Sequence, residues 1–582
     1  MDIFSVLNLT GGIGLFLYGM NVMGDNLKKL AGGKLEAILA KLTSGKIKGF
    51  LLGFIVTAVI QSSSATTVML IGFVNAGIMQ FGQTIGVVFG ANLGTTVTAW
   101  ILSLGGIDGN NIWLDLLKPT SFTPVLMIVG FIMMTASKSD KRKSLSLILI
   151  GFSALMFGMN MMSNAMSGLE NNAGFREFLL MFSNPVLGIF IGAIFTAIIQ
   201  SSSASVGILQ AMSLTGAIPY SIAIPIVFGE NIGAAVTPIL SAITGNTESK
   251  RVAFCSLYVK IIGAAGVSII FYTLNFLFDF GFMDSNVTMV TIAIIHTLFN
   301  LIDAVLLLPF SQWIEKLTTA TIRGKKTETY SRFDTLDQRF LSVPTFAIEK
   351  CRELVCEMAQ IAQKTVVLSM ESINQYDEKK ASTIQENENL VDMYEDKLST
   401  HFVKLSGQEL SGNDSKSLTK LMHCIGDIER IADHAVNISA IARELQEKQI
   451  QFSDAACHDL QIISTAVTDV LHDATEAFLH DDITLAKNVE PLEQVIDRLK
   501  IKIKDNHIVR LQNGQCSVVL GFILSDLLNN YARIADHCSN IAVCLIELSH
   551  GSFETHEYLN NVKQSDEEFI KLYEFYKKKY LI

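Results

Sequence analysis

Two clusters concentrate the polar chemistry of an otherwise apolar stretch: Gln61-Ser62-Ser63-Ser64-Ala65 and Gln200-Ser201-Ser202-Ser203-Ala204. Each offers a side-chain amide and a row of hydroxyls, and each interrupts an apolar run, 49–79 and 188–218, near its middle. A helix that breaks there also frees backbone N–H and C=O groups. Free N–H groups at a half-helix N-terminus favour an anion, while carbonyl and hydroxyl oxygens suit a hard cation such as Na+. A site with both kinds of group suits coupled movement of an anion and a cation. No ring of Arg or Lys lies in the apolar spans to hold an anion, so its counter-charge would be dipoles plus a co-bound cation. Small residues and serine hydrogen bonds that merely glue helices together are the competing reading. Recurrence at equivalent positions favours the site.

Downstream of each cluster stands a Gly-x-Asn-x-Gly stretch, Gly90–Gly94 and Gly229–Gly233, whose paired glycines are expected to loosen the helix. Asn92 and Asn231 sit inside these stretches, either as site residues or as packing residues. Glu230 stands where the first stretch has Ala91; an intramembrane carboxylate is a functional candidate, or else a partner for Lys260. His296, Asn300 and Asp303 share one helical face, as a polar lining or as inter-helix hydrogen-bonding groups.

The elements that must position these residues are apolar helices. Stretches able to span about 30 Å occur near 3–23, 83–104, 120–137, 143–162, 221–243, 252–274 and 287–310. An offset of 139 residues superposes the two clusters and much else without a gap: Gly19-Met20-Asn21 on Gly158-Met159-Asn160, Thr57-Ala58 on Thr196-Ala197, and Val97-Thr98 on Val236-Thr237. Basic residues, which collect on the cytoplasmic side, orient the repeats. Lys28, Lys29, Lys34, Lys41, Lys46 and Lys48 precede the first cluster, whereas Arg176 alone precedes the second. Lys138, Lys141, Arg142 and Lys143 join the repeats. Lys250 and Arg251 occupy a loop whose counterpart has only Lys118. One topology satisfies all of these: N-terminus outside, 24–48 inside, 105–119 outside, 138–143 inside, 163–187 outside, 245–251 inside, 275–286 outside and everything after 313 inside. The second repeat is then upside down relative to the first, and each cluster forms a re-entrant hairpin or two short spans. Inverted repeats with helices broken at matching positions mark a secondary transporter, because irregular backbone at membrane depth must line a cavity.

Of the 582 residues 49% are hydrophobic and only 17% charged, against about 25% charged in a soluble chain. Residues 1–320 hold 16 Lys+Arg and 14 Asp+Glu, a net of +2; the remainder holds 29 and 41, a net of −12. An apolar, nearly neutral half is therefore joined to a soluble, acidic one. This excludes a basic nucleic-acid binder, a disulfide-rich secreted protein and a disordered chain. Seven of the eight cysteines lie singly in the acidic half, which fits a reducing compartment. No removable signal peptide is evident, so the first apolar stretch is expected to stay as a membrane segment. A serine hydrolase is disfavoured, since no Gly-x-Ser-x-Gly elbow is present and no His or Lys lies near either cluster. A channel is disfavoured because two off-register polar tips make no ring.

In the acidic half, apolar residues recur at three-to-four spacing from about 341, as in long helices. Glu388 and Asp392 recur as Glu493 and Asp497, 105 residues on; Asp433, His434 and Asn437 recur as Asp536, His537 and Asn540, 103 residues on. Carboxylates at i and i+4 with Asn at i+8 share one helical face. Like charges so stacked are destabilising unless a cation sits among them, so the pattern reads as a metal cluster or as a solvated acidic face. His434 and His537 are ligand candidates, or surface histidines beside the motif.

The doubled Thr-Ala-x-x-Gln-Ser-Ser-Ser-Ala motif, each copy followed by Gly-x-Asn-x-Gly, closely resembles the type II sodium-phosphate cotransporter family over about residues 10–310. The resemblance implies Na+-coupled movement of inorganic phosphate, with phosphate near Gln61, Ser62, Ser63, Gln200, Ser201 and Ser202. It implies sodium nearby, with Ser64, Thr66, Asn92, Ser203, Ser205 and Asn231 as candidates. Ser205 and Val206 stand where the first repeat has Thr66 and Thr67, so the tips are not chemically equal. The acidic half resembles the PhoU domain over roughly 340–550, which implies two three-helix bundles whose Glu-x-x-x-Asp-x-x-x-Asn helices bind a divalent or iron-type metal cluster. The implied ligands are Glu388, Asp392, Glu429, Asp433, Asn437, Glu493, Asp497, Asp536 and Asn540. The chain departs from that pattern at Ala532, where the second glutamate is missing.

The expected protein is thus all-α. A polytopic membrane transporter domain over 1–315 holds two inverted repeats, about 1–137 and 143–310, with re-entrant hairpins. A linker over 316–340 leads to a cytoplasmic antiparallel helix bundle over 341–582. The expected location is the bacterial inner (cytoplasmic) membrane, with phosphate, sodium and the lipid bilayer as partners, no nucleic acid, and a homo-oligomer permitted. Exporter and membrane-anchored phosphate sensor stand as alternatives. Coupling is energetically reasonable: a phosphate dianion entering against 100 mV costs about 2 × 2.3 kcal/mol, and each co-transported Na+ returns about 2.3 kcal/mol plus its gradient.

Overall fold

The computed structural model describes residues 3–31, 45–106, 119–137, 139–166, 181–324, 332–550 and 567–581. Among them the regular structure is helical, with no strand. Lys34, Lys41, Lys118, Lys138 and Arg176, used above to orient the repeats, lie outside the described residues. The chain divides into two compact units, Met1–Phe346 and Ala347–Ile582.

The first unit contains α1 (Ile3–Ala31), α2 (Lys46–Ile60), α3 (Ser63–Asn75), α4 (Phe81–Gly94), α5 (Thr96–Ser103), α6 (Pro119–Ala136) and α7 (Asp140–Met166). There follow α8 (Pro185–Ile199), α9 (Ser202–Ser213), α10 (Tyr220–Gly233), α11 (Val236–Ala242), α12 (Thr247–Phe278), α13 (Met289–Leu307) and α14 (Ser311–Thr321). Six helical stretches among the described residues are long and apolar enough to cross a membrane: α1, α4 with α5, α7, α10 with α11, α12 and α13. Large apolar side chains such as Phe4, Ile128, Ile198 and Phe276 stand exposed on this unit, as lipid-facing surface requires.

The 139-residue offset carries Lys46–Ile60 onto Pro185–Ile199 and Phe81–Gly94 onto Tyr220–Gly233, end for end. Inversion is visible where α1 meets its copy α7. A Cβ placed on Gly12 would meet the Gly158 carbonyl at 2.9 Å, and one on Gly19 would meet the Gly151 carbonyl at 2.5 Å. Gly151 and Gly158 are the repeat copies of Gly12 and Gly19. The contacts pair the early residue of one helix with the late residue of the other, so the two copies run antiparallel. The repeats are therefore related by an approximate two-fold axis. The same relation recurs where α3 packs on α11 and α9 packs on α5.

The paired glycines act otherwise than expected. Gly90 and Gly94 do not loosen α4. They let it lie directly on α2, for a Cβ on Gly90 would stand 1.9 Å from the Phe50 carbonyl oxygen. Gly229 repeats this on α8 at 2.0 Å from the Ile189 oxygen, and Gly53 and Gly192 return the contact against the Val87 and Ile226 carbonyls. Small residues at four-residue spacing permit close helix approach in apolar surroundings, where no hydrophobic force drives association. The helical path does change just after these stretches, at Thr95 and at Ala234-Ala235.

The residues read as a polar linker include the end of α14 and two 3-10 turns, Arg332–Leu336 and Gln338–Ser342. The second turn packs within the first unit. Phe340 is fully buried beside Phe73, with ring centroids 5.5 Å apart, and Asn75 Nδ2 donates to Asp337 at 2.7 Å. Arg339 pairs with Asp337 at 2.7 Å and donates to the Ser241 carbonyl.

The second unit is built from α15 (Pro344–Asn374, from its fourth residue), α16 (Glu378–Ser406), α17 (Gly412–Glu447), α18 (Asp454–His480), α19 (Ile483–Gln512), α20 (Val518–His550) and α21 (Glu567–Lys579). Long helices with one apolar face bury residues such as Ile428, Ile431, Val467 and Ile534 between them. It too has an internal two-fold. His434 Nδ1 lies 2.8 Å from Asn530 Oδ1, and His537 Nδ1 lies 2.8 Å from Asp427 Oδ1. Asn530 and His537 are the copies of Asp427 and His434, 103 residues on, so α17 and α20 also run antiparallel.

Candidate functional site

Each Gln-Ser-Ser-Ser cluster turns the chain back on itself. Gln61 ends α2 in the left-handed region (φ 60°, ψ 25°), and Gln200 ends α8 there (φ 60°, ψ 19°). For a non-glycine residue that conformation costs about 1–2 kcal/mol. Local bonds hold it. The Gln61 and Gln200 N–H groups donate to the Thr57 and Thr196 carbonyls, each at 2.7 Å. Ser62 and Ser201 follow in extended backbone and cap the next helix, accepting from Ala65 and Ala204 N–H. The second hairpin bends by 120° between α8 and α9; the near-identical dihedrals give the first the same reversal.

Thr57 and Thr196, passed over by the sequence reading of site residues, are the staples of these turns. Thr57 Oγ1 lies 2.9 Å from Thr66 Oγ1 across the hairpin, and Thr196 Oγ1 donates to Ser205 Oγ at 2.8 Å. The recurrence of Thr-Ala-x-x-Gln at both clusters could have revealed them, since it sets the same hydroxyl four residues before each turn. Thr66 and Ser205, read as sodium candidates, thus spend part of their bonding capacity on the hairpin itself.

The tips approach the breaks of the opposite repeat. Ser64 Oγ lies 3.5 Å from the Ala234 carbonyl oxygen, between α10 and α11. Gln61 is held from both ends: its amide nitrogen donates to the Ala58 carbonyl, and its oxygen accepts from Thr98 Oγ1 on α5 at 2.7 Å. The neighbouring Ala99 carbonyl accepts from Gln210 of α9 at 3.0 Å, so α5 touches both hairpins. Ser63, Ser64, Ser202, Ser203, Asn92 and Asn231 are buried, while Gln61, Ser62 and Ser201 are half-buried. Gln200 is exposed, and Thr237, the copy of Thr98, has a buried hydroxyl without a hydrogen-bond partner. The two tips are therefore in different states: Gln61 tied down, Gln200 released. At each tip the first-turn N–H groups of the second arm, Ser63 and Ser64 or Ser202 and Ser203, have no intrahelical acceptor, and the Ser hydroxyls stand beside them.

Three further groups are buried in α13: His296, Asn300 and Asp303. Asn300 Nδ2 donates to the His296 carbonyl, whereas both His296 ring nitrogens and one Asp303 oxygen have no hydrogen-bond partner. Lys260 on α12 has Asp303, not Glu230, as its charged neighbour, which removes the Glu230–Lys260 pairing considered from sequence.

In the second unit Glu388 and Asp392 of α16 meet Asp433 of α17, with ligand oxygens all within 4.8 Å of one another. Burial and then the neighbouring carboxylates Asp392 and Asp433 push the Glu388 carboxyl above its ordinary range. Asp392 is raised by burial and by Asp433, and Glu429 by burial and then Asp433. Oxygen-only donors of this kind fit a hard divalent cation or an iron-type ion. The second set does not assemble in the same way. Asp536 pairs with Arg533 at 3.2 Å, and Asn540 Nδ2 donates to Asp427 at 3.0 Å; Ala532 leaves nothing in place of Glu429. His434 and His537 are not surface residues beside the motif. They stack at the α17–α20 seam with ring centroids 5.7 Å apart, and burial holds the His434 imidazole below its ordinary range.

Comparison with known proteins agrees with this anatomy. Residues 15–164 and 155–293 match the family model described as Na+/Pi-cotransporter, and residues 355–442 and 460–545 match the PhoU domain. "Putative inorganic phosphate export protein YjbB" of Salmonella typhimurium is 22% identical over 95% of this chain and 100% of its own. "Sodium-dependent phosphate transport protein 2A" of Rattus norvegicus is 31% identical over 16% of this chain and 14% of its own. Among solved structures, PhoU from Pseudomonas aeruginosa matches 35% of this chain and 97% of its own at 21% identity, with a TM-score of 0.33. The chain thus joins a multi-pass membrane region of the Na+/Pi-cotransporter family to a PhoU domain.

Proposed function

We propose that the protein carries inorganic phosphate across the cytoplasmic membrane, coupled to sodium, by alternating access of two inverted hairpins. The observation that carries this reading is the pair of reversed hairpin tips. Each presents first-turn N–H groups for an anion beside hydroxyl and carbonyl oxygens for a cation, at the break of the opposite repeat. Phosphate binds at Gln61, Ser62, Ser63, Gln200, Ser201 and Ser202, and sodium at the neighbouring oxygens of Ser64, Asn92, Ser203 and Asn231, with Thr66 and Ser205 contributing their remaining lone pairs. Rocking of one repeat against the other exposes the shared site to each side in turn. The difference between the restrained Gln61 and the released Gln200 fits one tip being held while the other is open.

Efflux is the second reading, favoured by the name of the Salmonella typhimurium relative, which aligns along its whole length. The purified full chain in proteoliposomes decides between them and tests the proposal. Labelled phosphate is expected to follow a sodium gradient, with steep dependence on sodium; movement against an imposed phosphate gradient in one direction only fixes the direction of work. Phosphate binding without flux would replace the carrier by a sensor. The second unit is a cytoplasmic regulator in this reading. Its removal after Phe346, not at 340, keeps Phe340 and Phe346 in the core of the first unit, and should alter the regulation of flux without abolishing it.

The PhoU-like unit is proposed to hold a divalent or iron-type metal at Glu388, Asp392 and Asp433, with Glu429 and Asn437 of the same helix face. When bound, the cation supplies positive charge that cancels the repulsion among these carboxylates. Without metal, Asp433→Asn is expected to stabilise the unit by several tenths of a kcal/mol, about 0.2–0.5 for each like-charge pair removed. With manganese or iron present, the wild-type melting temperature should rise and that of Asp433→Asn should not. Asp536→Asn, which removes a residue already paired with Arg533, should retain the metal response.

A further inference from the structure

The two repeats differ in charge at one place inside their shared scaffold. Where α4 has Ala91, α10 has Glu230. Glu230 is 1% exposed, and neither carboxylate oxygen has a hydrogen-bond partner. Lys260 does not pair with it; the charged neighbour of Lys260 is Asp303. A buried charge is kept only when something pairs with it.

The polar group that faces this carboxylate is the Ser205 hydroxyl, which does not close a hydrogen bond of normal geometry with it. Ser205 differs from its copy in a telling way. In the first repeat Thr66 Oγ1 gives its hydrogen to the Ser62 carbonyl at 3.0 Å. Ser205 makes no such bond to Ser201 among the described residues. It accepts from Thr196 at 2.8 Å, which leaves a second lone pair and its own hydrogen uncommitted. The pair of differences, Ala91 to Glu230 and Thr66 to Ser205, therefore replaces a neutral corner closed by a hydroxyl–carbonyl bond with one that holds a carboxylate and a hydroxyl oxygen.

We propose that Glu230 is the anionic ligand of a sodium ion bound in the second repeat, with Ser205 Oγ as a neutral ligand, a site the first repeat cannot form because it has Ala91. This deepens the sodium-coupled reading and rests on it. All-oxygen donors suit a hard monovalent cation, and the ion supplies the positive charge that the buried carboxylate lacks. With sodium in place, the second tip presents no net negative charge to an incoming phosphate; without it, Glu230 disfavours phosphate.

The test is sodium binding measured without phosphate. Thermal unfolding of the purified full chain in detergent is followed as sodium replaces choline at constant ionic strength. Wild type should be stabilised. Glu230→Gln, which keeps shape and removes charge, should need about tenfold or more sodium for the same stabilisation, as expected for loss of a charged ligand. In proteoliposomes the same variant should shift the sodium dependence of phosphate flux by a similar factor and leave the phosphate dependence at saturating sodium unchanged. Glu230→Asp and Ser205→Ala, milder changes, should give intermediate shifts and serve if Glu230→Gln does not fold. Sodium curves that superimpose on wild type would overturn the proposal. So would a variant that loses only a pH dependence, since the carboxylate would then carry a proton. If sodium stabilises wild type but not Glu230→Gln and no sodium-driven phosphate flux exists, the site stands and the transport reading falls.

Discussion

Gln200→Gly is expected to leave the second hairpin folded and to reduce phosphate flux by roughly tenfold to a hundredfold, the effect of losing a polar ligand to a charged substrate. Glycine is the informative replacement because Gln200 sits at φ 60°. Alanine there removes the amide and also imposes about 1–2 kcal/mol of left-handed strain, so its effect mixes site and scaffold. Glycine adopts that conformation freely and isolates the amide. Gln200 is also the cleaner of the two positions. The Gln61 amide is tied to Ala58 and Thr98, so Gln61→Gly additionally frees a helix end and the Thr98 hydroxyl. The exposed Gln200 side chain loses no comparable internal bond. Labelled-phosphate flux under a sodium gradient, with Gln200→Ala alongside, reads the result. Flux retained in Gln200→Gly but lost in Gln200→Ala would mean that the position serves the turn alone, and the assignment of the amide to phosphate would fall.

How far the sequence could be read follows from what each residue depends on. The hairpins were legible because their bonds are local: Thr57 to Gln61 and Ser62 to Ala65 are set by spacing along one strand of chain, and the 139-residue repeat showed them twice. Inversion was legible from lysines, whose placement obeys a rule about the membrane and not about packing. Pairings across the fold were not legible. That Ser64 approaches Ala234, that Lys260 faces Asp303 in place of Glu230, and that the Asp337–Phe340 turn packs beside Asn75 and Phe73 all depend on tertiary proximity that periodicity does not encode. The glycines were misread for a related reason. A glycine in a helix is flexible in isolation, but at Gly90 the helix is uninterrupted and the missing Cβ is space for another backbone. In the acidic half the repeated carboxylates were legible on each helix, yet whether they meet was decided by α16 lying against α17 for one set and by Arg533 and Asp427 intercepting Asp536 and Asn540 in the other.

Gly90→Ala and Gly229→Ala should each destabilise the membrane unit by about 3 kcal/mol or more, at the upper end for an overpacked interface. The added Cβ would stand 1.9 Å from the Phe50 carbonyl oxygen in one case and 2.0 Å from that of Ile189 in the other. The obstacle is backbone, so truncating a neighbouring side chain cannot relieve it; α2 and α4, or α8 and α10, must move apart along their whole contact. Gly14→Ala and Gly24→Ala, where nothing lies within 4 Å, should be neutral or mildly stabilising, because alanine favours a helix by about 0.5–1 kcal/mol. Gly72→Ala makes a third kind of case. Its Cβ would meet the Phe340 ring at 2.8 Å, a side chain, so Phe340→Leu should restore part of what Gly72→Ala loses, whereas Phe50→Ala should restore nothing to Gly90→Ala. Thermal unfolding and the monodisperse fraction in detergent measure all of these. The pattern matters for transport as well as for folding. The first arm of each hairpin is locked by backbone contact to the helix that carries its Gly-x-Asn-x-Gly stretch, so the two must move as one body. Sliding is expected instead at the seams between the repeats, where α3 packs on α11 and α12 and α9 packs on α5. If Gly90→Ala left stability and flux unchanged, that division into rigid and sliding contacts would be wrong.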